Sequence, residues 1–276
     1  MALKMLHIFR NTPFGRETLL QSCYFCRTVD ISLSVYIPTQ KQFLMYFDND
    51  AVQVDLDNSY LYSPESAKTH ACVLLAKANV DAAFIDPPSF TASTLPDIPT
   101  ELDFMCCPRS VSDMSSRIGL GHIGPRVRRI LNTAHFPVLL TSALHKEWKS
   151  LACFFGGSAN SIKALKLALR ISNASNLPLD LVTQDEKKGQ NFYRNILHQA
   201  GLEKDLTHSI RNWHFFQSNS LQENLYDVPH DALAVAGTQG HSGLKDLMFG
   251  SKMEMLQSHL PNPMLAVGPN CNLPLL

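Results

Sequence analysis

The sequence predicts an α/β protein made of two tandem open-sheet units, each a parallel sheet with helices on both faces. Three observations carry this. Apolar runs of strand length alternate with amphipathic runs of helix length through nearly the whole chain, the pattern of crossover-connected parallel strands. A layout recurs, with Gly124 thirteen residues before Pro137-Val-Leu-Leu140 and Gly250 thirteen residues before Pro263-Met-Leu-Ala-Val267. Finally, Asp231-Ala-Leu-Ala-Val-Ala runs into a glycine turn and then a helix start, and open α/β sheets bind ligands at such strand ends.

The first copy reads as a strand from Leu3 to Phe9, a helix from Phe14 to Val29, a strand from Ile31 to Ile37 and a helix from Glu65 to Asn79. Strands follow at Asp81 to Ile85 and Leu102 to Cys107. A helix over Pro125 to Thr133 has proline at its first position, where the missing N–H does no harm. Between Pro38 and Pro64 lies an insertion. Phe43-Leu-Met-Tyr-Phe47 and Val52-x-Val54-x-Leu56 flank the turn-rich Asp48-Asn-Asp50, so a hairpin is expected there, read as a surface excursion. Its acidic residues lack the glycine and terminal glutamate of an EF-hand loop.

The second copy starts near Lys149. Leu151 to Phe155 is a strand that runs into Gly156-Gly-Ser158, and the helix that follows places Ile162, Leu165, Ala168 and Leu169 on one face. Leu179 to Thr183 is the second strand, Gly189 to Ala200 a helix, Trp213 to Phe216 the third strand and Leu221 to Tyr226 a short helix. The expected domains are 1–145 and 149–276.

Composition limits the function classes. The chain has 276 residues, 45% of them hydrophobic and 17% charged, enough to bury two cores. Lys+Arg and Asp+Glu are both 24, so no overall field attracts nucleic acid or an anionic membrane. No apolar run reaches membrane-helix length and no signal-peptide core is recognised, so the expected location is the cytoplasm. Seven cysteines, spread through apolar stretches, fit a reducing compartment. Cys23 and Cys26 have redox or metal-ligand spacing, but no second Cys or His pair stands at a matching distance, and buried packing is the preferred reading. Cys106 and Cys107, in a predicted strand, are read the same way. Arg126, Arg128 and Arg129 are read as a solvated helix face.

The chemistry rests on the turn after Ala236. Glycines let backbone N–H groups approach an anion that a Cβ would hold off, and the first turn of a following helix adds unpaired N–H groups and a positive dipole end. Gly237 and Gly240 stand three apart, and Gly250-Ser251 opens the next helix, with Lys252 as a cation. Neither the Walker spacing nor the dinucleotide glycine spacing is present. Ser251 with Glu254 also reads as a capping box, which serves the helix alone.

The spacing Gly237-x2-Gly240-x9-Gly250-Ser251 resembles the nucleotide-binding signature of the universal stress protein family. His241-Ser-Gly-Leu fills the loop as in that family, Pro263 to Val267 resembles its closing strand, and Gly156-Gly-Ser158-x-x-Ser161 resembles its opening turn. The resemblance implies two five-stranded sheets of order 3-2-1-4-5, pairing internally or in a homo-oligomer across their last strands. It further implies ATP or another adenine nucleotide, with Mg2+ as its counter-ion, held by the second domain. Phosphate contacts carry over to Gly237, Gly240, His241, Gly250, Ser251 and Lys252, with Ala236 and Thr238 flanking. Ribose falls to Gly156, Gly157 and Ser158, and adenine to the backbone around Val182. Gly156 stands where the family commonly has aspartate, and losing a hydrogen bond to a charged group costs about 1.5–3 kcal/mol. In the first copy Pro125 follows Gly124, and the earlier glycines do not align. That half is expected to bind no ATP in the family manner. The role this implies is regulatory binding in a stress response, without an assigned catalytic residue. A nucleotide-free interaction module and slow hydrolysis near His241 are the alternatives.

Overall fold

The computed structural model describes residues 3–47, 50–56, 63–87, 95–108, 123–218, 220–238 and 251–274. The first half contributes β1 (Lys4–Ile8), α1 (Pro13–Val29), β2 (Ser32–Tyr36), β3 (Gln42–Phe47), β4 (Asp50–Asp55), α2 (Pro64–Ala78), β5 (Ala82–Ile85), β6 (Asp97–Ile98), β7 (Phe104–Cys107), α3 (Pro125–Thr133) and β8 (Val138–Leu140). The second contributes β9 (Ser150–Phe154), α4 (Ala159–Ser175), β10 (Leu179–Gln184), α5 (Gln190–Gln199), α6 (Glu203–His208), β11 (Ile210–Phe216), α7 (Leu221–Asn224), β12 (Ala232–Gly237), α8 (Ser251–His259) and β13 (Met264–Val267).

One ten-stranded sheet runs β11-β10-β9-β12-β13-β8-β7-β1-β2-β5. Neighbours are parallel everywhere except at β13 and β8, where Leu265 faces Leu139 in an antiparallel pair. Antiparallel pairing of the last strand of each half relates the halves by an approximate two-fold. It also removes two exposed edges at once.

The halves match residue by residue. Helices α1 and α4 both have 17 residues, begin at a hydroxyl cap and end on a left-handed residue. Thr12 Oγ1 accepts from Gly15 N at 2.9 Å, and Ser158 Oγ accepts from Ser161 N at 3.2 Å. Asp30 (φ 57) and Asn176 (φ 55) supply the left-handed stop. The segments after the last strands run back along these helices. Glu17 accepts from His145 N and the Tyr24 hydroxyl donates to Trp148 O, while Lys163 donates to Pro269 O and Arg170 to Pro274 O.

Two apolar layers sandwich the sheet. On one face α1, α2, α4 and α5 cover Met5, Val35, Phe104, Leu151, Leu181 and Val235. On the other, α3, α8 and the residues around Leu225 cover Leu6, Ile8, Tyr36, Ala152, Val182 and Ala234.

The insertion differs from its expectation as a surface excursion. It does form a hairpin, β3 pairing antiparallel with β4, but β6 adds a third strand and its inner side is core. Phe43, Met45 and Val54 are fully buried, and Phe43 meets the Tyr36 ring edge-on at 5.6 Å. Alternate apolar residues mark a face that must be covered, and here the sheet covers it. The arginines of α3 do lie on its partly exposed face, and two of them make ion pairs there. Arg126 pairs with Asp55 and Arg129 with Asp50, so the acidic residues of β4 meet the basic residues of α3. The third strand of the second half begins at Ile210 rather than Trp213, because Arg211 and Asn212 are held in the sheet by Asp180. Helix α6 has no side-chain cap and gave no start signal in the sequence.

Candidate functional site

The C-terminal ends of β10, β9 and β12 lie side by side, with Val182 opposite Phe154 and Phe154 opposite Ala236. This alignment brings Gly156, Gly157 and Ser158, which follow β9, next to Ala236, Gly237 and Thr238, which end β12. Helix α4 starts there. Helix α8 starts at Ser251 and leads back to the foot of β13, so its N-terminus belongs to the same end of the sheet. Two helices, α4 and α8, thus begin toward this end of the sheet, on its opposite faces. Gly240, His241 and Gly250 lie outside the described residues, as do the side chains of Ser251 and Lys252.

Each described residue has a local account. Gly157 takes φ 79, which favours glycine. A Cβ built on Gly156 meets nothing within 4 Å, so the position of the family's aspartate is open space. Ser158 spends its hydroxyl as the cap of α4. Gly237 is packed against that same helix: a Cβ there would lie 2.7 Å from the carbonyl carbon of Asn160 and 2.9 Å from its Cβ. Its bareness therefore serves strand–helix contact as well as any ligand. Val182 is 2% exposed, and its carbonyl accepts from Phe155 N at 2.8 Å. Thr238 N donates to Val267 O at 3.0 Å, whereas the buried Thr238 hydroxyl has no hydrogen-bond partner among the described residues. A buried hydroxyl left unsatisfied costs free energy unless something else meets it.

A polar cluster that the sequence did not single out lies toward the opposite, N-terminal ends of β10 and β11. Asp180 is 1% exposed; burial raises its carboxyl, but hydrogen bonds and charge from Arg211, with Asn212 and His214, outweigh this and hold it below the usual carboxylate range. Arg211 Nε and Asn212 Nδ2 both donate to Asp180 Oδ1, at 2.9 and 3.1 Å. His214 Nε2 lies 3.9 Å from Asp180 Oδ2, and the His214 ring stacks on Phe216 at 6.3 Å. Alternation through Asn212, His214 and Phe216 was the available signal, but an apolar strand reading does not say which face the polar side chains take.

The corresponding end of the first half is filled. Arg10 occupies the place of Gly156 and is 7% exposed, Tyr36 occupies that of Val182, and the hairpin lies over Tyr36. The cysteines there are packing residues. Cys23 and Cys106 are buried, and burial pushes both thiols up to about 12, far from the thiolate that metal or redox chemistry needs. No group of three or more potential metal ligands occurs among the described residues.

No family model and no curated protein sequence matches the chain. Solved structures do. A universal stress protein from Archaeoglobus fulgidus DSM 4304 is similar with a TM-score of 0.65 at 12% identity, covering 96% of this chain and 98% of that one. A functionally unknown protein from Pseudomonas aeruginosa PAO1 is similar with a TM-score of 0.61 at 10% identity, covering 98% of this chain and 93% of that one. The likeness shows the fold, that of universal stress proteins, over both halves. No helix among the described residues is long and apolar enough to cross a membrane.

Proposed function

We propose that the chain is a regulatory nucleotide-binding protein of the stress-response type, holding one adenine nucleotide, ATP foremost, in its second half, with the first half as a closed pairing partner. The observation that carries this reading is the asymmetry between two otherwise matched strand ends. In the second half the ends of β9, β10 and β12 leave open space at Gly156 and a buried hydroxyl at Thr238 that meets no partner among the described residues. In the first half Arg10 and the hairpin fill the equivalent place. The likeness to a universal stress protein of the same extent and the Gly237, Gly240, Gly250, Ser251 spacing support the same ligand class. Phosphates would be held by Gly237, Gly240, His241, Gly250, Ser251 and Lys252 and ribose by Gly156 to Ser158, with Mg2+ accompanying the phosphates. Binding rather than turnover is favoured because no base positioned to activate water is found among the described residues of this end.

Native mass spectrometry of the gently purified chain tests it, with one adenine nucleotide per chain expected. Gly250→Asp sets a carboxylate at the anion site and should abolish binding measured by calorimetry. A second reading, a nucleotide-free pairing module, draws on the packing of Gly237 against Asn160, which explains that glycine without any ligand. No heat with millimolar ATP or ADP would favour it.

A further inference from the structure

The cluster around Asp180 lies away from the proposed nucleotide end and serves nothing there. It belongs to β11, which has seven residues and is the outermost strand on its side of the ten-stranded sheet among the described residues. Its sequence, Ile210-Arg-Asn-Trp-His-Phe-Phe216, combines three aromatic rings with full strand length and no proline. An edge of that kind presents unpaired N–H and C=O groups as a template for another chain. The opposite edge, β5, is only four residues long.

Register allows the two edges to be compared. Ile8, Tyr36 and Ile85 are partners across β1, β2 and β5, as Phe154, Val182 and His214 are across β9, β10 and β11. Two positions earlier, Ser34 faces Ala83 in the first half and Asp180 faces Asn212 in the second. One face of each edge is treated alike. Lys68 of α2 stands over the Phe84 ring at 5.0 Å, and Arg194 of α5 over the Trp213 ring at 5.4 Å. The pairing itself differs. β2 and β5 run in unbroken register, whereas β10 and β11 shift between Leu179 and Asp180, so that Arg211 is an extra residue between the partners Ile210 and Asn212. Such an insertion is a bulge, which bends and twists the strand that carries it.

Stability alone gives no reason for charges here. Asp180 is 1% exposed, and its Oδ1 accepts from Arg211 Nε at 2.9 Å and from Asn212 Nδ2 at 3.1 Å. Taking a carboxylate out of water is costly, and apolar residues of similar volume in place of such a pair are often neutral or stabilising. What the cluster does achieve is geometric. It pins the bulged residue and its neighbour to the carboxylate beneath them, while the Arg211 side chain keeps 45% of its exposure. A strand laid alongside β11 would have to flatten the bulge and strip water from that cation. Bulges and inward-pointing charges are known means of blunting a sheet edge.

We propose that Asp180, Arg211 and Asn212 form an edge guard, which holds the bulge in β11 and so keeps that strand from pairing antiparallel with β11 of a second copy of the chain. Strand-to-strand joining is thereby confined to β8 and β13, where the two halves already meet. The short β5 has little edge to guard, and Ser34 and Ala83 carry no charge there. Nucleotide binding at the other end of these strands plays no part in the guard.

The test is sedimentation velocity on the full chain over a concentration series. Asp180→Val/Arg211→Val removes both charges together, and should move the boundary from its wild-type position to dimers and larger species that grow with concentration. Adding Asn212→Lys to that variant returns a cation to the edge and should restore the wild-type boundary. Asp180→Asn/Arg211→Gln keeps the shape and the hydrogen-bonding groups without the charges. It should shift the boundary in the same direction, and it carries the test if the valines do not pack. Thermal melts show which variants are folded. Wild-type sedimentation of a folded charge-free variant throughout the series would overturn the guard, and so would association that Asn212→Lys leaves unchanged.

Discussion

His7 illustrates how a single buried side chain couples this fold to pH. It is 1% exposed, and its Nδ1 meets Ser22 Oγ at 2.8 Å. Burial, aided by the charge of Arg10, lowers its pKa to about 3. In the unfolded chain the imidazole returns to roughly 6.5. Folded His7 is therefore neutral where unfolded His7 takes up a proton, so its contribution is complete above about 6.5 and is lost as pH falls toward 3. Urea unfolding at pH 6 and 5 should show wild type losing about 1.4 kcal/mol per pH unit more than His7→Gln. An equal slope in the two proteins would remove His7 from the account. Gly237 gives a second test at this scale. The Asn160 backbone cannot yield as a flexible side chain does, so Gly237→Ala should cost about 1–3 kcal/mol by overpacking, even in nucleotide-free protein.

At the scale of elements, the hairpin of β3 and β4 shows which of two visible interactions holds a segment down. Arg129 pairs with Asp50 and Arg126 with Asp55, but the Arg129 side chain is 54% exposed. Exposed pairs contribute about 0–1 kcal/mol, whereas truncating a buried phenylalanine costs about 3–5 kcal/mol. Denaturant titration should accordingly find Arg129→Ala nearly neutral and Phe43→Ala severe. The reverse order would mean that charge, and not aromatic burial, closes the first half. The sequence showed the alternation of this segment through Phe43, Met45, Val52 and Val54, and so the hairpin. It could not show that the face being covered was Tyr36 and its neighbours, since that requires knowing where the hairpin lands. The ion-pair partners of the arginines were not legible for the same reason: they lie more than seventy residues away in the chain, as the Arg126–Asp55 and Arg129–Asp50 pairs show.

For the whole molecule, the junction of β8 and β13 decides the architecture. Three residues on each strand pair antiparallel, with Leu139 and Leu265 both fully or nearly fully buried. Gly268, just past β13, lies against the Leu131 carbonyl of α3, so the halves also touch where a Cβ would not fit. A fragment of residues 149–276 would expose β13 as an unpaired apolar edge, which templates pairing with another chain. Sedimentation should find this fragment self-associated, and Leu265→Lys within it should shift it toward monomer. A monomeric fragment carrying Leu265 would show that the edge is not the joining element.

Much of the layout was legible in the residues alone. Strand and helix alternation, the paired glycine–proline spacing and the hydroxyl caps at Thr12 and Ser158 are local signals, because periodicity and capping depend on neighbours in sequence. The glycine spacing after Ala236 is also a local pattern, though Gly240 and Gly250 lie outside the described residues. Which end of each sheet is open was decided only by tertiary structure. Arg10 against Gly156, Tyr36 under Phe43, and Val182 between Phe154 and His214 are differences in what covers a row of side chains. A row across a parallel sheet joins residues dozens of positions apart, so no local pattern records it.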